Sequence, residues 1–262
     1  MKRLALVIVA SLICFRGTAQ SRSKRPTPPQ GQARSDNIQI RRAIKVTARD
    51  GVHLAGDYYT HGNPGPGVLL FHQCTRDRAI WSDLATTLAN SGNQVLVVNP
   101  RGVGDSEGKP WDYDGVPDHA LAYWRSHWSD DAEAAYQWLK SRRDVEREKV
   151  VAMGAGCGSF LAMLTAERHY PVVRDAVFFS DFDDPQSRQF LEKSPRLAIL
   201  SMVSERDPMS FTAAKEIQRV SNNPASRLLT YPEHAHGYEL VERHPELMSV
   251  VVKWVNAQLA GR

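Results

Sequence analysis

The chain has 262 residues, 42% of them hydrophobic, enough for one sizeable core of the kind a single α/β domain buries. Its formal charge of +4 is misleading, because residues 1–35 carry seven Lys/Arg and no Asp/Glu. The rest holds 26 basic against 29 acidic side chains with no basic stripe, which excludes nucleic acid as the expected partner.

At the N-terminus, Lys2 and Arg3 precede an apolar run from Leu4 to Phe15, followed by Gly17-Thr18-Ala19. The run is too short to span a bilayer and has the layout of a secretory signal peptide over residues 1–19. Ile13 before Cys14 argues against a lipoprotein processing site, so no stable membrane anchor is expected after cleavage, and the location is secreted or periplasmic. Residues 20–36, rich in Pro, Ser, Gln and Arg, are expected to be a disordered linker. Residues 37–262 form the domain.

Two β-rich runs, 38–48 and 52–59, flank Asp50-Gly51, a strong hairpin dipeptide. A short buried strand is expected at 68–71, a helix at 81–91 stopped by Gly92, and another buried strand at 94–98. Residues 103–128 are rich in Gly, Asp and Trp, show no clear period and are long enough for a small cap. Within them Trp111, Tyr113, Tyr123, Trp124 and Trp128 either pack the cap on the sheet or form an apolar or sugar-stacking wall. Ser129 is the expected N-cap of a helix at 129–140, with Asp130, Asp131 and Glu133 in its first turn. Strands follow at 150–153, 176–179, 197–203 and 227–231, and helices at 159–169 and 245–259. Alternating strands and helices imply a mostly parallel sheet covered on both faces.

Residues 149–163 read as a buried strand, a glycine-packed turn and a helix start, the build of a nucleophile elbow. Strand–elbow, strand–acid and strand–histidine then follow in that order. The pieces Leu69-Leu70-Phe71-His72-Gln73-Cys74, Arg101-Gly102-Val103-Gly104-Asp105-Ser106 and Gly154-Ala155-Gly156-Cys157-Gly158 resemble those of the α/β-hydrolase superfamily. The resemblance to the superfamily runs from about residue 40 to 260, and within it the chain looks most like small secreted ester hydrolases of the dienelactone-hydrolase and serine-aminopeptidase type. The resemblance implies an eight-stranded-type sheet, no cofactor, and a small acyl or carbonyl compound as substrate or ligand. It departs at the decisive position: Gly156 stands where the nucleophilic Ser is expected.

Carried over position by position, the resemblance makes Asp207 the orienting acid and His236 the base, with His234 the competing choice. The oxyanion hole maps to the backbone amides of Cys157 and Cys74, with Gln73 as neighbouring candidate. Amides aimed at one atom put Cys74 and Cys157 within disulfide reach, and an oxidising compartment favours the bond. Reading the elbow one residue later makes Cys157 an alternative nucleophile, as in dienelactone-hydrolase-like relatives, although a residue on the first helical turn points away from the histidine. Ser159, further into the helix, is weaker still. A metal built from the two Cys, His72 and His236 lacks any close ligand spacing. Three readings stay open: a weak or inactive hydrolase relative, an enzyme using Cys157 or an activated water, and a ligand- or partner-binding protein on the same scaffold.

Overall fold

The computed structural model describes residues 40–261 apart from 113 and 183; the expected leader, linker and Tyr113 lie outside them. Eight strands form one sheet: β1 (Ile40–Thr47), β2 (His53–Thr60), β3 (Gly65–Phe71), β4 (Gln94–Val98), β5 (Val145–Ala155), β6 (Val173–Phe179), β7 (Ala198–Ser204) and β8 (Arg227–Tyr231). Their spatial order is β1-β2-β4-β3-β5-β6-β7-β8. The β1–β2 and β2–β4 pairs are antiparallel, and all later neighbours run parallel.

The helices are α1 (Ser82–Asn90), α2 (Pro117–Tyr123), α3 (Ser129–Lys140), α4 (Cys157–His169), α5 (Pro185–Glu192), α6 (Pro208–Val220), α7 (Glu239–Arg243) and α8 (Glu246–Ala260). Strand side chains alternate between two faces, so β6 sends Ala176 and Phe178 to one core and Val177 and Phe179 to the other. The first core packs Leu139 of α3, Leu161 of α4 and Ile217 of α6; the second packs Leu84 and Leu88 of α1 with Leu247, Val251 and Val255 of α8. Each such side chain, fully removed from water, contributes about 1.5–3 kcal/mol.

Two expectations are corrected. Residues 117–128 are helical rather than aperiodic, because α2 runs through a π-helical turn at Trp124–Trp128 directly into α3. Ser129 is therefore not an N-cap. Its hydroxyl donates to the Arg125 carbonyl inside a continuous helical run. What starts the run is Pro117 in the first turn after the extended Val116. The Trp ladder is mostly core: Trp124 and Trp128 are buried, and Trp128 Nε1 donates to the Arg101 carbonyl at 3.1 Å.

Arg-Gly-x-Gly-x-Ser at 101–106 is a brace rather than a chemical motif. Arg101 grips Asp131, with Nη2 to Oδ1 at 2.7 Å, and also pairs with Asp50. Ser106 Oγ donates to the Asn99 carbonyl at 2.7 Å and accepts from the Ala55 amide at 2.9 Å, which tethers the loop after β4 to β2.

Candidate active site

β5 ends at Ala155 and α4 begins at Cys157, leaving Gly156 as the single hinge residue, at φ 54° and ψ −118°. That is left-handed backbone which an L side chain adopts only under strain. The turn is sharp because its flanking glycines touch neighbouring backbone. A Cβ on Gly154 would lie 2.0 Å from the Gly158 carbonyl carbon, and one on Gly158 2.4 Å from the Phe71 oxygen. Glycine at both positions lets helix and strand approach this closely. Gly156 itself donates its N–H to the Phe179 carbonyl at 2.9 Å.

The apex faces the histidine. A Cβ built on Gly156 would lie 3.0 Å from His236 Nε2 and 3.5 Å from Gln73 Cγ. On the other side of the ring, His236 Nδ1 is 2.6 Å from Asp207 Oδ2. Asp207 is the residue before α6, and its Oδ1 accepts from the Ser210 amide at 3.4 Å. Burial alone would raise the Asp207 carboxyl, but the hydrogen bonds from His236 and Ser210 outweigh it and hold the group below the usual carboxylate range. A carboxylate at Nδ1 fixes the tautomer that leaves Nε2 as a base toward Gly156. The structure thus brings together the two residues named from sequence order. His234, the competing candidate, is exposed and does not border the cavity.

The histidine loop is held by contacts that sequence reasoning missed. Gly237 N–H donates to Ser180 Oγ at 2.8 Å, and Tyr238 N–H to Gln73 Oε1 at 3.0 Å. Gly237 has φ 60°, and a Cβ there would sit 2.4 Å from Gln73 Oε1, so this glycine is required by a close approach. The Gln73 side chain thus ties the loop after β3 to the histidine loop. Ser180 is itself a non-glycine residue at φ 65°, strain tolerated where it aims a hydroxyl at this loop. No sequence pattern marks that residue.

Cys74 and Cys157 form a disulfide, with Cα atoms 5.7 Å apart, inside the reach expected from their shared pocket. The bond corrects the alternative nucleophile: the Cys157 sulfur is tied to Cys74 and is not a free thiolate. Ser159 is excluded as well, since its buried hydroxyl donates to the Gly154 carbonyl at 2.9 Å. As the first residue of α4, Cys157 has an amide with no intrahelical acceptor, which suits it to an oxyanion. His72 is buried beside the Gln73 carbonyl, 2.8 Å from Nδ1, and burial pushes its imidazole down to about 4. Among the described residues no group of three or more His, Cys, Asp or Glu is disposed to hold a metal.

A cavity of about 360 Å³ opens over the elbow. Gln73, Cys74, Cys157, Asp207 and His236 form its chemical side, and Trp111, Trp124, Phe182 and Met209 its apolar side. Met209 is 63% exposed and forms the lip. A second cavity of about 480 Å³ shares Trp111 and Ala120 with the first but is lined by Arg101, Tyr123 and His127 instead of the Asp207–His236 pair. The described members of the aromatic group, Trp111, Tyr123, Trp124 and Trp128, are thus split between core and cavity walls.

Two solved structures share the architecture. Dienelactone hydrolase from Anabaena variabilis superposes with a TM-score of 0.64 at 17% identity, over 84% of this chain and 99% of that one. The Pyrococcus furiosus esterase Pf2001 gives 0.60 at 18%, over 85% and 94%. At these identities the likeness establishes the α/β-hydrolase fold. Uncharacterized proteins from two strains of Mycobacterium tuberculosis are 28% identical over 175 residues, which is 64% of this chain and 56% of theirs. The chain thus matches little more than half the length of those relatives. The dienelactone hydrolase family model matches residues 55–255. On fold, topology and that match, the chain belongs to the dienelactone hydrolase family.

Proposed function

We propose that this chain is an exported member of the family that binds a small acyl or carbonyl compound and hydrolyses it weakly or not at all. The observation that carries the reading is the position of Gly156. It occupies the elbow apex 3.0 Å, measured from a built Cβ, from the free face of an intact Asp207–His236 pair, and it has no atom to attack with. Base, orienting acid and an oxyanion-type amide at Cys157 support a ligand carbonyl seated over the elbow. Loss of the serine nucleophile costs about 10⁶-fold in kcat in a well-studied hydrolase, while the oxyanion hole and binding retain about 10³–10⁴-fold over water. Residual turnover, if measured, is assigned to a water taken up by His236 Nε2. Export rests on the leader-like residues 1–19.

The test is Gly156→Ser assayed on short-chain p-nitrophenyl esters. The expected outcome is a rise of at least ~10³-fold in kcat/KM that His236→Ala abolishes. A folded Gly156→Ser protein that stays inert on the whole panel overturns the reading of a preserved base and acid.

A further inference from the structure

Two residues in the wall of the elbow cavity each carry a buried polar atom that no described residue satisfies. Asp181, in the loop after β6, is 1% exposed; Ser201 Oγ donates to its Oδ2 at 2.7 Å, while its Oδ1 has no hydrogen-bond partner. Trp124, 3% exposed, has no partner for its indole Nε1–H. Both residues border the cavity. The Trp124 ring packs edge-on against Phe182, the residue after Asp181, with centroids 5.0 Å apart. Buried polar groups are nearly always paired, so two orphans bordering one cavity need an explanation.

Their chemistry is complementary. One is an N–H donor and the other a carboxyl oxygen, and among the described residues no Lys or Arg borders the cavity to supply a counter-charge. A carboxylate on the ligand would face a carboxyl without a compensating cation, and an ammonium would leave the indole N–H unanswered. A hydroxyl satisfies both atoms, accepting from the indole and donating to the carboxyl. Burial also pushes the Asp181 carboxyl up to about 7, and no charged side chain acts on it; the other ionisable groups bordering the cavity, Asp207 and His236, are engaged with each other.

We infer that Asp181 and Trp124 form a specificity subsite for a neutral hydroxyl on the body of the ligand, distinct from the carbonyl-binding side of the cavity at Gly156, Cys157 and His236. This rests on the reading that the cavity over the elbow is the ligand site. The arrangement discriminates because a ligand lacking the hydroxyl leaves both atoms unpaired, whereas one carrying it gains two hydrogen bonds at buried groups.

The test is binding to the unmodified protein, by calorimetry or ligand-detected NMR. The matched probes are ethyl 3-(4-hydroxyphenyl)propanoate, its 4-methoxyphenyl analogue and ethyl 3-phenylpropanoate. The expected result is a preference of about tenfold or more for the hydroxyl probe, from two hydrogen bonds of ordinary strength. Trp124→Phe and Asp181→Val should each remove most of it, while Asp181→Asn, which still accepts and donates, should keep it. Thermal melts confirm that each variant is folded, and the preference in the parent protein is decisive without any variant. Equal binding of all three probes overturns the subsite and leaves the ligand cavity standing. Tighter binding of the unsubstituted ester also overturns it, and binding of none of them overturns both the subsite and the cavity reading.

Discussion

Replacing Gly156 by Ser probes the elbow as a structural device, independently of turnover. At φ 54° and ψ −118° a side chain costs on the order of 1–3 kcal/mol in backbone strain. Two terms oppose it. Losing glycine's freedom in the unfolded chain returns about 0.4–1 kcal/mol. A Ser Oγ–His236 Nε2 hydrogen bond returns about 0.5–1.5 kcal/mol. The new Cβ also meets Nε2 at 3.0 Å, so the ring must yield by a few tenths of an ångström. His236 can do so, being 39% exposed on its side chain and anchored mainly through Asp207. At mid-range these terms leave a loss of about 0.3 kcal/mol before the cost of moving the ring, so the expected loss is at most about 1 kcal/mol, or a Tm lower by no more than about 2–4 °C for a domain of this size. Gly156→Ala keeps the strain and the contact but lacks the hydroxyl, so it should be less stable than the Ser variant by about 1 kcal/mol. Urea unfolding of the three proteins, compared at equal m-values, measures all of this. If Gly156→Ala equalled or exceeded the parent in stability, the strained-elbow geometry would be refuted.

Gly154→Ala should destabilise by about 3 kcal/mol or more, since its Cβ would lie 2.0 Å from Gly158 backbone; a Tm within 2 °C of the parent, a margin of about 1 kcal/mol, contradicts the packing described. Reducing the Cys74–Cys157 bond, which spans 83 residues, should lower stability by about 4–5 kcal/mol in the chain-entropy model, read as the shift in urea midpoint with and without a phosphine reductant. In the Gly156→Ser background, Asp207→Asn should cut kcat by about 10³–10⁴-fold while leaving KM within a few-fold, because it removes the acid that sets the His236 tautomer; an unchanged kcat would remove Asp207 from that role. The last expectation concerns pH. His72 is lowered to about 4 in the fold, so its contribution is full above its unfolded value near 6.5 and is lost as pH falls toward 4, by about 3 kcal/mol. Asp181 is raised to about 7, so its contribution is full below about 4 and is lost as pH rises toward 7, which opposes the His72 slope. Asp181→Asn should therefore make stability climb more steeply between pH 4 and 7 than in the parent, and an unchanged slope in urea titrations would show that Asp181 does not titrate there.

The sequence by itself determined the elements whose burial is periodic and the chemistry whose order along the chain is fixed. Continuous apolar runs such as 95–98 and 150–153 had to be buried strands, and Gly154, Gly156 and Gly158 could only mark a tight strand-to-helix turn. Asp207 and His236 were legible because each follows a buried strand in the order the family resemblance demands. The mixed region 103–128 was not legible, since its helix from Pro117 is set by packing of Trp124 and Trp128 into the core rather than by a surface period. Nor was the support of the histidine loop. The Ser180–Gly237 and Gln73–Tyr238 contacts join residues 57 and 165 apart, and only the sheet order β3-β5-β6-β7-β8 brings them together. The same holds for Asp181, which no pattern marks, and for the indole N–H of Trp124, a residue the sequence singles out only as one of an aromatic group. A buried polar atom without a partner is a property of its surroundings, and those exist only once the tertiary structure has closed around it.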